Sequence, residues 1–224
     1  MELYSFFRST ASFRVRIALA LKGLSYRTIS INLLREDGEN NSPSYGKVNP
    51  QHLVPSLVTD DGYTLIQSGA ICEYLEERYP SPPLLPRGVE ARAYVRALMA
   101  AAACDIHPLH AIRVTKYLER QLHIDAESRK AWTQHWILEG LQAIDAILER
   151  SGLTGAYCYG DTATLADAFI VPQFVSALAN GVLVESLSVL PRIAQHCLEH
   201  AAFQAALPQN QPGANPVAPA QVRA

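Results

Sequence analysis

Apolar and polar positions change rhythm several times along this chain, and each change marks an element. Leu3-Tyr4-Ser5-Phe6-Phe7 is a short apolar run and predicts a strand. Arg8-Ser9-Thr10-Ala11-Ser12 then opens into Val15, Ala18, Leu19 and Leu21 at helical spacing, ending in Lys22-Gly23. Ser9, Thr10 or Ser12 can cap that helix, and Gly23 offers a left-handed stop. Tyr26 to Ile31 alternates polar and apolar, as a half-buried strand does, so strand, helix and strand form a βαβ unit with parallel strands. Residues 34 to 47 are polar and are expected to form a mobile loop with short helical turns. Pro55 stands at the entrance of a strand running to Val58, where its missing N–H is tolerated. A cis bond there is one way to turn the neighbouring backbone outward. Asp60-Asp61-Gly62 predicts the turn of a hairpin returning through Tyr63 to Gln67, and Ser68 reads as the N-cap of a second helix to Tyr79.

Pro80 to Pro86 holds four prolines in seven residues and predicts a semi-rigid linker. Beyond it the pattern is helical. One helix is expected from Val89 to Cys104, broken near His107-Pro108 and resuming to His123. Another covers Ala126 to Arg150, with Trp132, Trp136, Leu141, Ile144 and Leu148 as inward candidates. Thr164 followed by Asp167 is a capping-box pattern leading into a run that is apolar nearly all round, so Asp167 reads as a buried structural acid. Further helices are expected over 187–200 and 202–207. The domains are then 1–80, a linker 81–88, an all-helical 89–210 and a loosely held tail 211–224.

Composition narrows the function. A length of 224 residues allows a substantial core, and a formal charge of -2 gives no electrostatic case for nucleic acid. No stretch approaches the ~20 apolar residues of a membrane span. The N-terminus carries no basic-then-apolar leader pattern, so the protein is expected in the cytoplasm. The four cysteines, Cys72, Cys104, Cys158 and Cys197, are scattered, with no metal-ligand or dithiol spacing. A strand feeding a helix lined by hydroxyls and free N–H groups is a seat for an anion, a thiolate included. The local residues are also satisfied by capping alone.

The whole pattern resembles the cytosolic glutathione transferases. That implies an α/β thioredoxin-like N-terminal domain plus an all-α C-terminal domain. Tyr4 to Leu19 looks like the zeta-class signature, which includes the maleylacetoacetate and maleylpyruvate isomerases. Asn49-Pro50, Val54-Pro55, Gln67-Ser68, Asp105-Ile106-His107-Pro108, Gly160-Asp161 and Leu165-Ala166-Asp167 with Val171-Pro172-Gln173 also match. The resemblance implies glutathione as cofactor, with Ser9 bonded to its sulfur and Thr10 beside it. It implies Val54, before Pro55, on the cysteinyl backbone, and Gln67 and Ser68 on the γ-glutamyl carboxylate. A homodimer acting on a small acidic or electrophilic substrate is also implied.

Two departures stand out. Ala11 replaces the cysteine usual in the family run, and Ala179 stands where the isomerases carry a carboxylate-binding arginine. The candidate charge partners for an acidic substrate are then Arg8, His107, His110, Arg113 and Lys116, with Arg113 only loosely on the face of His107. The expected activity is glutathione-dependent cis–trans isomerisation of a maleyl-type diketo acid in aromatic catabolism. Conjugation or dehalogenation of small electrophiles is the alternative, and a non-catalytic glutathione-binding scaffold the second. A thioredoxin-type oxidoreductase is disfavoured, because no cysteine sits at the first helix start.

Overall fold

The computed structural model describes residues 1–35 and 37–214. The first strand, β1 (Glu2–Ser5), points Leu3 and Ser5 inward. Helix α1 (Thr10–Leu21) starts on Ser9, whose backbone is extended and whose hydroxyl accepts from the Ser12 N–H at 3.1 Å. Gly23 ends it at φ +65°, where Gly23 N–H reaches Ala20 C=O (3.0 Å) and Leu24 N–H reaches Leu19 C=O (2.9 Å). That paired return is a Schellman stop, as the glycine predicts. Strand β2 (Arg27–Ser30) runs parallel to β1, whereas β3 (Ser56–Val58) is antiparallel to β1 and β4 (Thr64–Ile66) antiparallel to β3. The sheet order is β2-β1-β3-β4, the expected thioredoxin-like layout.

In this half the expected short helical turns are present, and one cap reading changes. The polar stretch after β2 includes a 3-10 turn (Glu39–Asn41) and helix α2 (Pro43–Val48), pinned by buried Tyr45, whose hydroxyl donates to Leu53 C=O at 2.7 Å. Helix α3 (Ser68–Arg78) has Gln67, not Ser68, at its N-cap. Gln67 stands at φ +68° and makes no side-chain cap. Ser68 is already inside the first turn, and its hydroxyl accepts from Arg14 Nη1 (3.2 Å) instead.

The proline segment is fastened at both ends. Lys22 Nζ meets Glu76 Oε2 at 2.7 Å with the two side chains 0% and 7% exposed. Glu76 also accepts the Leu84 and Leu85 N–H groups (2.9 and 3.0 Å), while Lys22 donates to the carbonyls of Tyr79 and Pro82. Such a buried pair holds only because its remaining donors and acceptors are satisfied.

Helix α4 (Val89–Ala100) widens into a π-helical stretch (Ala101–Ile106) and then a 3-10 turn (His107–His110) before α5 (Ile112–Arg120). The expected straight helix to Cys104 is therefore distorted earlier, and its continuation stops short of His123. The π stretch lies against α6 (Ala126–Arg150) at Gly140, where an added Cβ would stand 2.3 Å from Ile106 Cγ1. In α6 the buried positions are Thr133, Ile137, Leu141, Ile144, Asp145 and Leu148. Trp132 is exposed and Trp136 half-buried, so the tryptophans are not core anchors as expected; the Trp132 indole donates to Leu109 C=O at 2.7 Å.

Helix α7 (Leu165–Ala179) is buried nearly all round, with Phe169, Ile170 and Val171 fully covered. Each contributes about 1.5–3 kcal/mol of burial. The predicted capping box is present, and Asp167 is buried, accepting from Cys158 N–H, Thr164 N–H and the Thr164 hydroxyl at 2.8–2.9 Å. Helix α8 (Leu190–Glu199) starts three residues later than expected. Its start is capped from a distance: Asp145 on α6 accepts the N–H groups of Ser188, Val189 and Leu190 at 2.7–2.9 Å. Helix α9 (Ala201–Ala206) packs on α1, where buried Arg16 Nε donates to Ala206 C=O at 3.0 Å. Arg16 also donates to the Ser5 hydroxyl (3.1 Å) and Phe7 C=O (3.2 Å). Residues 215–224 of the expected tail lie outside the described residues.

Candidate active site

The turn between β1 and α1 brings Arg8, Ser9 and Thr10 to one edge of the sheet. Ser9 N–H is tied back to Phe6 C=O at 3.0 Å, which fixes the hydroxyl at the mouth of the helix. That hydroxyl accepts the Ser12 N–H, so its own proton is free to donate outward. Thr10 lies beside it, 9% exposed.

Above this mouth is a cavity of about 520 Å³ between the two halves. Its walls include Phe6, Arg8, Ser9, Thr10 and Val54 from the first half, and His107, His110, Arg113, Lys116 and Ala179 from the second. Arg8, Arg113 and Lys116 are basic side chains, and no aspartate or glutamate lines the space among the described residues. A cleft walled by one sign of charge concentrates ligands of the other sign. Arg113, expected only loosely near His107, faces the same cavity, because the 3-10 turn and the extended Ala111 redirect the chain between them. Lys116 is steadied by Leu33 C=O at 3.2 Å.

Val54 offers its backbone to this space. Leu53 C=O is occupied by Tyr45 and Asn49, and His52 C=O by Asn40. The N–H and C=O of Val54, buried at 9% exposure before the cis Pro55 bond, have no partner among the described residues. Buried backbone groups are almost always paired, so this pair suits a peptide ligand. Pro55, Gln67 and Ser68 stand outside the lining. Gln67 borders it through Gln51, donating to Gln51 Oε1 at 2.8 Å.

The histidines do not act as charge partners. Burial, then the fields of Arg14, His110 and Arg113, holds the His107 pKa well below its ordinary value. Burial holds His110 at about 4, against the opposing hydrogen bond with Gln173 at 2.9 Å. Both rings are neutral at neutral pH and serve as hydrogen-bond groups. The expectation that they compensate for Ala179 by charge fails on desolvation.

Sequence reasoning missed Arg14. It is 1% exposed on α1, with its guanidinium 5.0 Å from the Phe169 ring centre, and donates to Ser68 Oγ and to Ala102 C=O (3.3 Å). The signal was available in Arg14-Val15-Arg16, where apolar neighbours at helical spacing leave no solvent face for either arginine. Asn40, Gln51 and His52 also line the cavity and carried no sequence signal.

A thioredoxin-like sheet joined to an α-helical half, with a hydroxyl at the first helix mouth and an unpaired peptide edge opposite, defines the class of glutathione transferases. Residues 8–78 match the family described as Glutathione S-transferase, N-terminal domain. The chain is 45% identical to the maleylacetoacetate isomerase of Pseudomonas aeruginosa, over 95% of this chain and 98% of that protein. It superimposes with a TM-score of 0.92 on the holo structure of a bacterial zeta-class maleylpyruvate isomerase, 41% identical, covering 96% and 100% of the two chains. The maleylacetoacetate isomerase of Methylobacterium extorquens AM1, solved with bound malonate and GSH, gives 0.92 at 35% identity over 96% and 100%. This chain belongs to that zeta-class family of maleylacetoacetate and maleylpyruvate isomerases.

Proposed function

We propose that the protein is a glutathione-dependent cis–trans isomerase of a maleyl-type diketo acid in aromatic catabolism. Residues 1–80 form its glutathione domain and 89–210 its substrate domain, and it works as a cytoplasmic homodimer. The observation that carries the reading is the cavity itself, where a hydroxyl at a helix mouth faces three cations and, among the described residues, no carboxylate. The pairing of malonate with GSH in the relative from Methylobacterium extorquens is in keeping with a small acid lying beside glutathione.

The residues present fit glutathione. Ser9 donates to the sulfur, with Thr10 and the free N–H groups of α1 adding positive potential, and Val54 pairs with the peptide backbone. Gln67, Ser68 and the free N–H groups of α3 take the γ-glutamyl carboxylate, with Pro55 setting the Val54 edge. Bound glutathione supplies a nucleophilic sulfur that adds to the conjugated cis double bond and later leaves, so the bond rotates in between. Arg8 stands nearest the Ser9 mouth in sequence and stabilises the negative charge that develops on the substrate carbonyl oxygen. Arg113 and Lys116 hold the substrate carboxylates, and neutral His107 orients the substrate by hydrogen bonding. No separate general base is required.

Ala179 favours a second reading, conjugation or dehalogenation of small electrophiles, because it leaves that part of the wall uncharged. One assay decides. Maleylpyruvate or maleylacetoacetate turned over with substoichiometric, unconsumed glutathione supports isomerisation. Failure there, with stoichiometric thiol loss on a chloroacetate-type substrate, supports conjugation.

A further inference from the structure

Arg14 is one of two fully buried arginines, with Arg16, that the site described above does not use. It is 1% exposed, yet among the described residues no carboxylate pairs with it. Among the described residues its Nε has no hydrogen-bond partner, its other nitrogens donate to one hydroxyl and one carbonyl, and its face stacks on Phe169. The adjacent thiol offers no countercharge, because burial pushes Cys72 up to about 12. Burial lowers Arg14 itself only to about 10, so the guanidinium remains charged at neutral pH. A buried cation is costly unless its donors are satisfied; Arg16 gives its guanidinium to three oxygens, whereas Arg14 is left with an unfilled donor.

The one side chain that Arg14 grips is Ser68, in the first turn of α3. A hydroxyl that accepts from a guanidinium keeps its proton to donate away from it. The N–H groups of Ser68, Gly69 and Ala70 open in the same first turn without intrahelical partners. We propose that Arg14 is a positioning residue for glutathione. By holding and polarising Ser68, and by placing its charge beneath the start of α3, it orders the site that receives the γ-glutamyl α-carboxylate. This rests on the glutathione reading above and adds a residue to it.

The test compares two thiols by calorimetric titration of the full-length protein: glutathione, and γ-aminobutyryl-cysteinylglycine, which lacks only that α-carboxylate. Arg14→Met should weaken glutathione about tenfold or more, as loss of a charge-supported hydrogen bond does, and leave the decarboxylated thiol within about twofold. Arg14→Lys keeps the charge and should recover part of the loss. In Ser68→Ala the further effect of Arg14→Lys should largely vanish, because the two act as one unit. If Arg14→Met does not fold, the Arg14→Lys and Ser68→Ala cycle makes the same comparison. Equal weakening of both thiols, or none of either, would overturn the role and leave Arg14 a packing residue. An unaltered protein that binds no glutathione would overturn the functional reading as well, so the two failures are distinguishable.

Discussion

Replacing Ser9 with alanine separates two jobs that one hydroxyl performs. In the free protein Ser9 Oγ caps α1 by accepting the Ser12 N–H, and its loss should cost about 1 kcal/mol of stability. For a chain of this length that is a fall in Tm of about 2–4 °C. In the proposed glutathione complex the same oxygen donates to the sulfur. A hydrogen bond to a charged group is worth about 1.5–3 kcal/mol, and about 1.4 kcal/mol moves a pKa by one unit. The bound thiol, ordinarily near ~8.5 in free cysteine, should therefore titrate about one to two units higher in Ser9→Ala than in the unaltered protein. The readout is ultraviolet thiolate absorbance of the glutathione complex against pH, with Tm measured in parallel. Ser9→Gly is the internal control: glycine is a tolerable cap that costs only a few tenths of a kcal/mol, so it should show the same titration shift with almost no loss of Tm. If neither variant moves the titration, thiolate stabilisation belongs to Thr10 or to the free N–H groups of α1, and the assignment of Ser9 is refuted.

Three further outcomes follow from the geometry. Glu76→Gln should lower the unfolding free energy in urea by about 3–5 kcal/mol, because it strands the buried Lys22; pairing it with Lys22→Met should restore part of that, and additive losses would contradict the coupling. Asp167→Ala should cost about 3 kcal/mol or more by orphaning three buried donors, while the KM for glutathione stays unchanged; a selective rise in KM would show that Asp167 is more than structural. His110 is depressed to about 4 in the folded state, so the unfolded chain takes up its proton first as pH falls. Its contribution to stability is whole above about pH 6.5 and is lost towards pH 4, so His110→Gln should flatten the dependence of Tm on pH between about pH 7 and pH 5. A variant that retains the full slope would remove His110 as its source.

Most of the architecture was legible because its signals are local. Ser9 and Gly23 bracket α1, Thr164 and Asp167 open α7, and the prolines after Tyr79 break the chain, each within a few residues of the effect. What escaped was set by partners distant in sequence. Asp145 caps α8 from more than forty residues away, so no residue beside Leu190 announces the true start. Ser68 looked like a cap because serine is one, but Arg14 claims its hydroxyl and a left-handed Gln67 takes the position. The π stretch before His107 packs closely against a glycine on another helix. Of the cavity walls, Arg8, Ser9, Thr10 and Val54 were legible in the sequence. Arg113 and the neutral histidines depended on how the chain bends at the 3-10 turn and on how much water the second half excludes.

The bond from Arg16 to the carbonyl of Ala206 joins residues 190 positions apart. During translation α1 leaves the ribosome 190 residues before the oxygen that receives its guanidinium. Until then the nascent first half carries a cation with an unfilled donor and an apolar flank that α7 and α9 have yet to cover. Synthesis order thus delays the support of α1: its Arg16 anchor closes only once α9 is made, and a message cut short before codon 206 yields a first half without it.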